Sequence, residues 1–278
     1  MPEGDTIFRA AAAMHRALAG RVVTGFDTAF AHLARIHDDT PLTGRTIDKC
    51  ESAGKHLLIW FGGELILRTH MRMSGSWHLY RPGEAWQRPA HQMRVRIDTD
   101  TWVAVAFNVP VAEFLRSSDL PRNRALASLG PDFLAPVFDR DEALRRLAAA
   151  GPRPIAAALL DQRVVAGIGN VFKSEVLFLC GIHPDRPADM VTDAERASIV
   201  DTAVPLMRSN TGPGAVAAIV TYRGLRRTTR QAHGAENLWV YGRAGKPCRR
   251  CGTPIESEKR GLEARPTYWC PRCQPSIR

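Results

Sequence analysis

Two C-x2-C pairs, Cys248/Cys251 and Cys270/Cys273, stand 18 residues apart near the end of this 278-residue chain. Four thiolates at that spacing close a tetrahedral structural zinc site, because each C-x2-C turn lets two sulfurs reach one metal. The segment between them is thereby held as a small hairpin, with strands expected over Thr253 to Ser257 and Pro266 to Trp269. Such a module presents Arg249, Arg250, Arg260, Arg265 and Arg272 to phosphates. Two redox dithiols are the competing reading of the same pairs. Cys50 and Cys180 lie alone in apolar surroundings and read as small core residues.

Charge points the same way as the finger. The chain carries a net +10, and from Gly151 onward 19 Lys and Arg face 11 Asp and Glu, so most of the excess lies in the C-terminal half. A soluble basic protein of this kind favours a polyanion such as nucleic acid. A membrane is not expected as partner, since no stretch approaches the roughly 20 consecutive apolar residues of a spanning helix. The first apolar segment is broken by Arg9, His15 and Arg16 and follows acids rather than a basic stretch, so a cytoplasmic location is expected.

Hydrophobic patterning divides the chain. Ile7, Phe8, Ala11, Met14 and Leu18 recur with helical spacing, and Gly20 closes the run. Between Val22 and Phe107 the pattern becomes short β-rich segments: Val22 to Phe26, His56 to Phe61, Leu65 to Thr69, Met93 to Ile97 and Thr101 to Phe107. That predicts an antiparallel sandwich or barrel. Helices are expected again at Asp141 to Ala149, Ile155 to Leu160, Asn170 to Cys180 and Asp193 to Ser209. Gly130, Pro131 and Asp132, followed by Pro136, mark the expected linker.

Two further segments carry chemistry. In D-Q-R-V-V-A-G-I-G-N, Asp161 to Asn170, the glycines allow a tight turn and Asn170 can cap the next helix, whose free N–H groups form a phosphate seat. The competing reading is an ordinary Gly-rich connection between helices. At the other end, removal of Met1 exposes Pro2 as a secondary amine at the head of a helix. The helix dipole favours its neutral, nucleophilic form, and Glu3 stands beside it to move protons. Alone, M-P-E carries no information.

Taken together and in order, these segments resemble the formamidopyrimidine-DNA glycosylase and endonuclease VIII family over essentially the whole chain. The resemblance rests on P-E-G at Pro2 to Gly4, S-A-G-K-H-L at Ser52 to Leu57, and H-M-R-M-S-G at His70 to Gly75. It continues through L-D-Q-R-V-V-A-G-I-G-N at Leu160 to Asn170 and C-R-R-C…A-R-P-T-Y-W-C-P-R-C-Q at Cys248 to Gln274.

The resemblance implies an α+β fold: an N-terminal helix plus antiparallel β-sandwich (1–130), a helix-two-turn-helix domain (131–240) and a zinc finger (241–278). It implies a bifunctional DNA glycosylase and AP lyase of base-excision repair, acting on damaged double-stranded DNA as a monomer associated with the bacterial nucleoid. Pro2 attacks C1′ of a flipped nucleotide, Glu3 supplies acid catalysis, and Lys55 contacts phosphate and assists proton transfer, a surface lysine beside a strand being the competing reading. β-Elimination, usually with δ-elimination, then cuts the strand. Asn170 and Arg265 clamp phosphates, Arg265 being counted with the catalytic residues as well. Met73, beside Arg72, fills the gap left by the flipped base, a core methionine being the competing reading. Glu175 matches a family acid, with a purely structural role as the alternative. Cys248, Cys251, Cys270 and Cys273 bind the single structural zinc.

Departures from the pattern bear on substrate. Asp5 and Thr6 stand where the endonuclease VIII branch carries a second glutamate, and Ser128 stands where an arginine is expected. Arg72-Met73-Ser74 is closer to formamidopyrimidine glycosylase, whereas Gly4 and the R-P-T-Y-W-C ending favour endonuclease VIII. Oxidised pyrimidines are the first expectation and oxidised purines the second. A DNA-binding protein that recognises lesions without catalysis is the alternative of another class, and a zinc-ribbon transcription factor explains nothing before residue 75.

Overall fold

The computed structural model describes residues 2–212, 219–221, 237–260 and 264–276, Arg260 by its backbone alone. The chain divides into two compact units, Met1–Ser128 and Leu129–Arg278.

The first unit opens with α1 (Gly4–Leu18), in which Ile7, Ala11, Met14 and Leu18 are buried on one face. Fully burying a side chain the size of Ile, Leu or Met contributes about 1.5–3 kcal/mol, so this stripe fixes how the helix lies. Gly20 takes a left-handed φ of 78° and donates to the Ile47 carbonyl at 2.8 Å, turning the chain into the sheets. There follow β1 (Val23–Thr28), α2 (Ala31–Asp39), β2 (Ile47–Ala53), β3 (His56–Phe61), β4 (Leu65–His70), β5 (Ser76–Tyr80), β6 (Met93–Thr99), β7 (Val103–Phe107), β8 (Val111–Arg116) and α3 (Arg124–Ala127). The strands form two antiparallel four-stranded sheets, β1-β6-β7-β5 and β2-β3-β4-β8. Leu57, Ile59 and Leu67 of one sheet share a core with Val95, Ile97, Ala104 and Ala106 of the other and with the apolar face of α1.

The expected strands are all present, and β2, β5 and β8 join them, as does the short helix α2. Ile47–Ala53 escapes an alternation search because its register shifts between Ile47 and Lys49, which breaks the period of two.

The second unit contains α4 (Arg140–Ala148), α5 (Ile155–Leu160), α6 (Asn170–Cys180) and α7 (Asp193–Arg208), then the hairpin strands β9 (Glu256–Arg260) and β10 (Arg265–Trp269). Asp139 caps α4 and Thr192 forms a capping box with Glu195 at α7, so both helices begin where a side chain satisfies free N–H groups. Gly130–Asp132 is no slack linker. Gly130 donates to the Gln162 carbonyl at 2.8 Å and Asp132 bridges Ala166, and a Cβ at Gly130 would lie 2.4 Å from the Val164 carbonyl oxygen. The first finger strand starts later than expected because Thr253 to Ile255 close the first cysteine turn: Cys248 donates to Thr253 and Ile255 to Lys246.

Helix α6 is buried from Asn170 through Phe178, save Val171. Its Glu175 is fully buried and accepts from the backbone N–H groups of Trp239, Val240 and Tyr241 at 2.7–2.9 Å, and from the Thr221 hydroxyl. Burial pushes this carboxyl above the usual carboxylate range, and the four donors pull the other way. The acid at this position is therefore a clasp between α6 and the segment leading into the finger. Glu175→Ala should leave the N–H groups of Trp239, Val240 and Tyr241 without their acceptor, Val240 being buried, and destabilise the protein by about 2–3 kcal/mol. Urea denaturation monitored by tryptophan fluorescence checks this; an unchanged midpoint would contradict it.

Candidate active site and metal centre

In the first unit the N-terminal site begins at the head of α1. Pro2 is partly exposed and Glu3 is fully buried, with Glu3 in an extended conformation as the N-cap residue and its carbonyl accepting from Ile7. The positive end of the helix dipole therefore lies beside Pro2.

Helix α1 packs on β2 and β3. The connection between those strands is the two-residue turn Gly54-Lys55, set by the Ala53–His56 register and by φ of 57° at Gly54. Lys55 is thus held at a hairpin tip, not on the flank of a strand.

After β4 the chain makes a second tight turn. Gly75 donates to the Met71 carbonyl at 2.9 Å, and a Cβ at Gly75 would lie 2.6 Å from that oxygen, so the turn requires glycine. Arg72 sits at φ 47°, its N–H donating to His70 Nδ1 at 3.2 Å. Met73 at the apex is 69% exposed, which removes the reading of it as a core methionine.

Beneath these turns runs a polar lane that sequence reasoning missed. His56 pairs with His70 across β3 and β4, ring centroids 4.8 Å apart. Arg68 donates to His56 Nδ1 at 2.9 Å and to Glu113 at 2.6 Å, and Asn123 donates to the same Glu113 oxygen at 2.9 Å. Burial, then the neighbouring His70 and Arg68, lower His56 to about 3. Burial, then Arg72, Lys55 and Arg68, lower His70 to about 4. Both rings are neutral acceptors at pH 7, as their bonds require. The signal was present in S-A-G-K-H-L and H-M-R-M-S-G, whose histidines fall opposite each other once the hairpin register is known.

In the second unit, the Asp161–Gly169 segment is zipped by one amide. Gln162 donates to the Leu160 and Ile168 carbonyls at 3.0 and 3.1 Å and accepts from Gly167, whose φ is 95°. Asn170 is not the cap expected of it: Gly169 holds that place and no side chain caps the helix. Instead Asn170 Nδ2 donates to the Pro266 carbonyl at 2.6 Å, and its Oδ1 accepts from Lys173 Nζ at 2.7 Å. Lys173, 1% exposed, also donates to Thr267 at 2.8 Å, so α6 and β10 are joined by a buried polar cluster.

The four finger sulfurs lie within 4.8 Å of one another, with Cys248–Cys273 at 3.9 Å and Cys251–Cys270 at 3.5 Å. A tetrahedral ion with zinc–sulfur bonds of about 2.3 Å needs sulfurs about 3.8 Å apart, so the set fits zinc. Burial first, and then the other sulfurs, push the Cys273 thiol up to about 12, and a divalent cation among them offsets that penalty. The centre is one structural zinc with all four positions filled by protein. Of the five finger arginines, Arg250 is turned inward onto the Phe178 and Leu179 carbonyls and Arg249 onto Leu238. Arg265 is partly buried at the start of β10.

Family models for the formamidopyrimidine-DNA glycosylase N-terminal domain, its H2TH domain, and the zinc finger found in FPG and IleRS match residues 1–110, 129–217 and 245–275 in turn. A probable endonuclease 8 2 of Streptomyces coelicolor is 43% identical over 277 residues, covering 99% of this chain and 94% of that protein. The chain belongs to the formamidopyrimidine-DNA glycosylase and endonuclease VIII family. It is also 39% identical to the DNA-(apurinic or apyrimidinic site) lyase Nei2 of Mycolicibacterium smegmatis, covering 99% of each, consistent with the endonuclease VIII branch. The Lactococcus lactis Fpg solved in complex with an abasic site containing DNA shares the fold, with TM-score 0.82 at 22% identity, covering 99% of this chain and all of that one.

The neutral histidines give this family member a pH dependence. In the unfolded chain both titrate near 6.5, and in the folded chain near 3 and 4. Unfolded protein therefore binds more protons between those values, and stability falls as pH drops from about 6.5 toward 4. Urea midpoints should decline from pH 7 to pH 5, and His56→Asn with His70→Asn should flatten that decline. Equal slopes in wild type and variant would contradict the assignment.

Proposed function

We propose that this protein removes oxidised bases, pyrimidines first, from damaged double-stranded DNA and then cleaves the strand at the resulting abasic site. The reading is carried by the three family models lying in order on one chain, with Pro2, Glu3 and Lys55 inside the first match, Asn170 in the second and Arg265 in the third. It is supported by relatives named endonuclease 8 and AP lyase over the full chain. We assign 1–130 to catalysis, 131–240 to the helix-two-turn-helix domain and 241–278 to the finger, and expect a monomer in the bacterial cytoplasm, drawn to the nucleoid through DNA.

Once Met1 is removed, the Pro2 nitrogen attacks C1′ of a flipped nucleotide while Glu3 gives a proton that opens the sugar and lets the base leave. The iminium between Pro2 and C1′ acidifies the C2′ hydrogen. Its loss, aided by Lys55, expels the 3′ phosphate, and a second elimination expels the 5′ phosphate. Asn170 and Arg265 hold phosphates. The Asn170 amide has two N–H groups and Pro266 takes one, leaving the other for a phosphate oxygen. Arg72 contacts DNA beside Met73, whose exposure at a glycine-locked turn suits a wedge that fills the vacated stack.

Binding and chemistry separate by mutation. Arg265→Ala should weaken binding to undamaged and damaged duplex alike and lower the salt slope by roughly one ion. Glu3→Gln should leave duplex affinity near wild type while single-turnover base release falls on the order of a hundredfold. Equal losses of binding and base release in Glu3→Gln would show that Glu3 positions DNA instead of moving protons.

A further inference from the structure

Four arginines of the second unit line one open cleft of about 510 Å³: Arg145 and Arg146 from the last turn of α4, Arg153 from the connection into α5, and Arg163 from the turn before α6. Two carboxylates hold them. Asp161 accepts from Arg163 through both oxygens, at 3.0 and 2.9 Å, and from Arg153 at 2.9 Å. Glu142 accepts from Arg145 at 2.7 Å and Arg146 at 2.5 Å, and Arg146 also donates to the Arg163 carbonyl at 2.6 Å, tying α4 to the turn.

Four guanidinium groups share two carboxylates here, which leaves an excess of positive charge at the cleft. Arg145 and Arg163 leave 70% and 72% of their side chains exposed while one edge of each is held by a carboxylate. Their forks are thus oriented yet open. Arg153 donates through Nη1 to Asp161, which leaves its remaining guanidinium N–H groups for a further acceptor.

We propose that this cleft is a phosphate-binding site, in which Arg145, Arg146, Arg153 and Arg163 take a phosphate group of a nucleic-acid strand or of a free pyrophosphate. Planar forks with parallel N–H donors match phosphate oxygens bidentately, and a tetrahedral group offers enough oxygens to engage several forks at once. Neither Asn170 nor Arg265 lines this cleft, and its existence does not depend on the glycosylase and lyase reading.

The test uses the full-length zinc-loaded protein with pyrophosphate, by calorimetry, and with a short undamaged duplex, by fluorescence anisotropy across a salt series. Arg145→Gln keeps Glu142 paired with Arg146, and Arg153→Gln removes one guanidinium from the cleft while Arg163 still pairs with Asp161; thermal melting establishes that each is folded. Pyrophosphate should bind wild type and each variant should bind it about fivefold more weakly. If a strand phosphate is the natural occupant, Arg145→Gln also lowers the duplex salt slope by about one. An unchanged slope with weakened pyrophosphate binding assigns the site to a free anion. Pyrophosphate affinity and salt slope both unchanged in both variants would overturn the proposal, as would a glutamate-rich peptide binding the cleft more tightly than either phosphate.

Discussion

The buried polar face of α6 is the constraint on which the second unit depends. Finger hairpins are too small to bury a core of their own, and this one borrows its core from the helix: Phe178 packs with Val240, Cys248, Ile255 and Cys270. Apolar contact alone leaves the register between helix and hairpin soft. The clasp at Glu175 and the Asn170–Lys173–Thr267 cluster fix it, because each bond involves a group too buried to find water. Arg265 sits one residue from Pro266, whose carbonyl Asn170 holds, so the arginine assigned to phosphate is placed by the same contacts. Zinc fixes the shape of the finger, and α6 fixes where that shape is held.

Positioning in the first unit works differently. Lys55 and Met73 project from two tight turns at the ends of β3 and β4, and the turns are set by strand register and by Gly54 and Gly75. His70 adds a bond to the turn that carries Arg72, and it can do so only as a neutral ring. Its burial beside Lys55, Arg68 and Arg72 keeps it neutral. A concentration of positive charge near a site assigned to phosphate contact is thereby combined with an uncharged acceptor that orders the loop.

Much of this was legible in the sequence for physical reasons that can be named. The cysteine spacing identified the metal, and strands such as His56–Phe61 announced themselves because their residues are β-branched, aromatic or leucine over a continuous apolar run. Helix α6 was found residue for residue because Gly169 and Gly181 bound it on both sides. What stayed hidden required partners distant in the chain. Nothing near Asn170 says that its amide faces Pro266, 96 residues on, or that Lys173 is buried against Thr267. The histidine lane depends on strand register, and composition cannot reveal the helix carbonyls on which the inward turn of Arg250 depends or the Leu238 carbonyl on which that of Arg249 depends. Cys180, read as core, is partly exposed beside Ser198 and Thr202, because α6 ends there and its last turn leaves the interior.

In the proposed mechanism the amine of Pro2 forms a covalent bond to the sugar, and reductive trapping measures that bond directly. Protein lacking Met1 is mixed with duplex containing an abasic site, reduced with borohydride, digested, and the cross-linked peptide is sequenced by mass spectrometry. An adduct on Pro2 is expected, formed in good yield and lost when an uncleaved N-terminal extension blocks the amine. An adduct that maps to Lys55, or zinc-loaded protein with a free Pro2 amine that traps nothing, would contradict it.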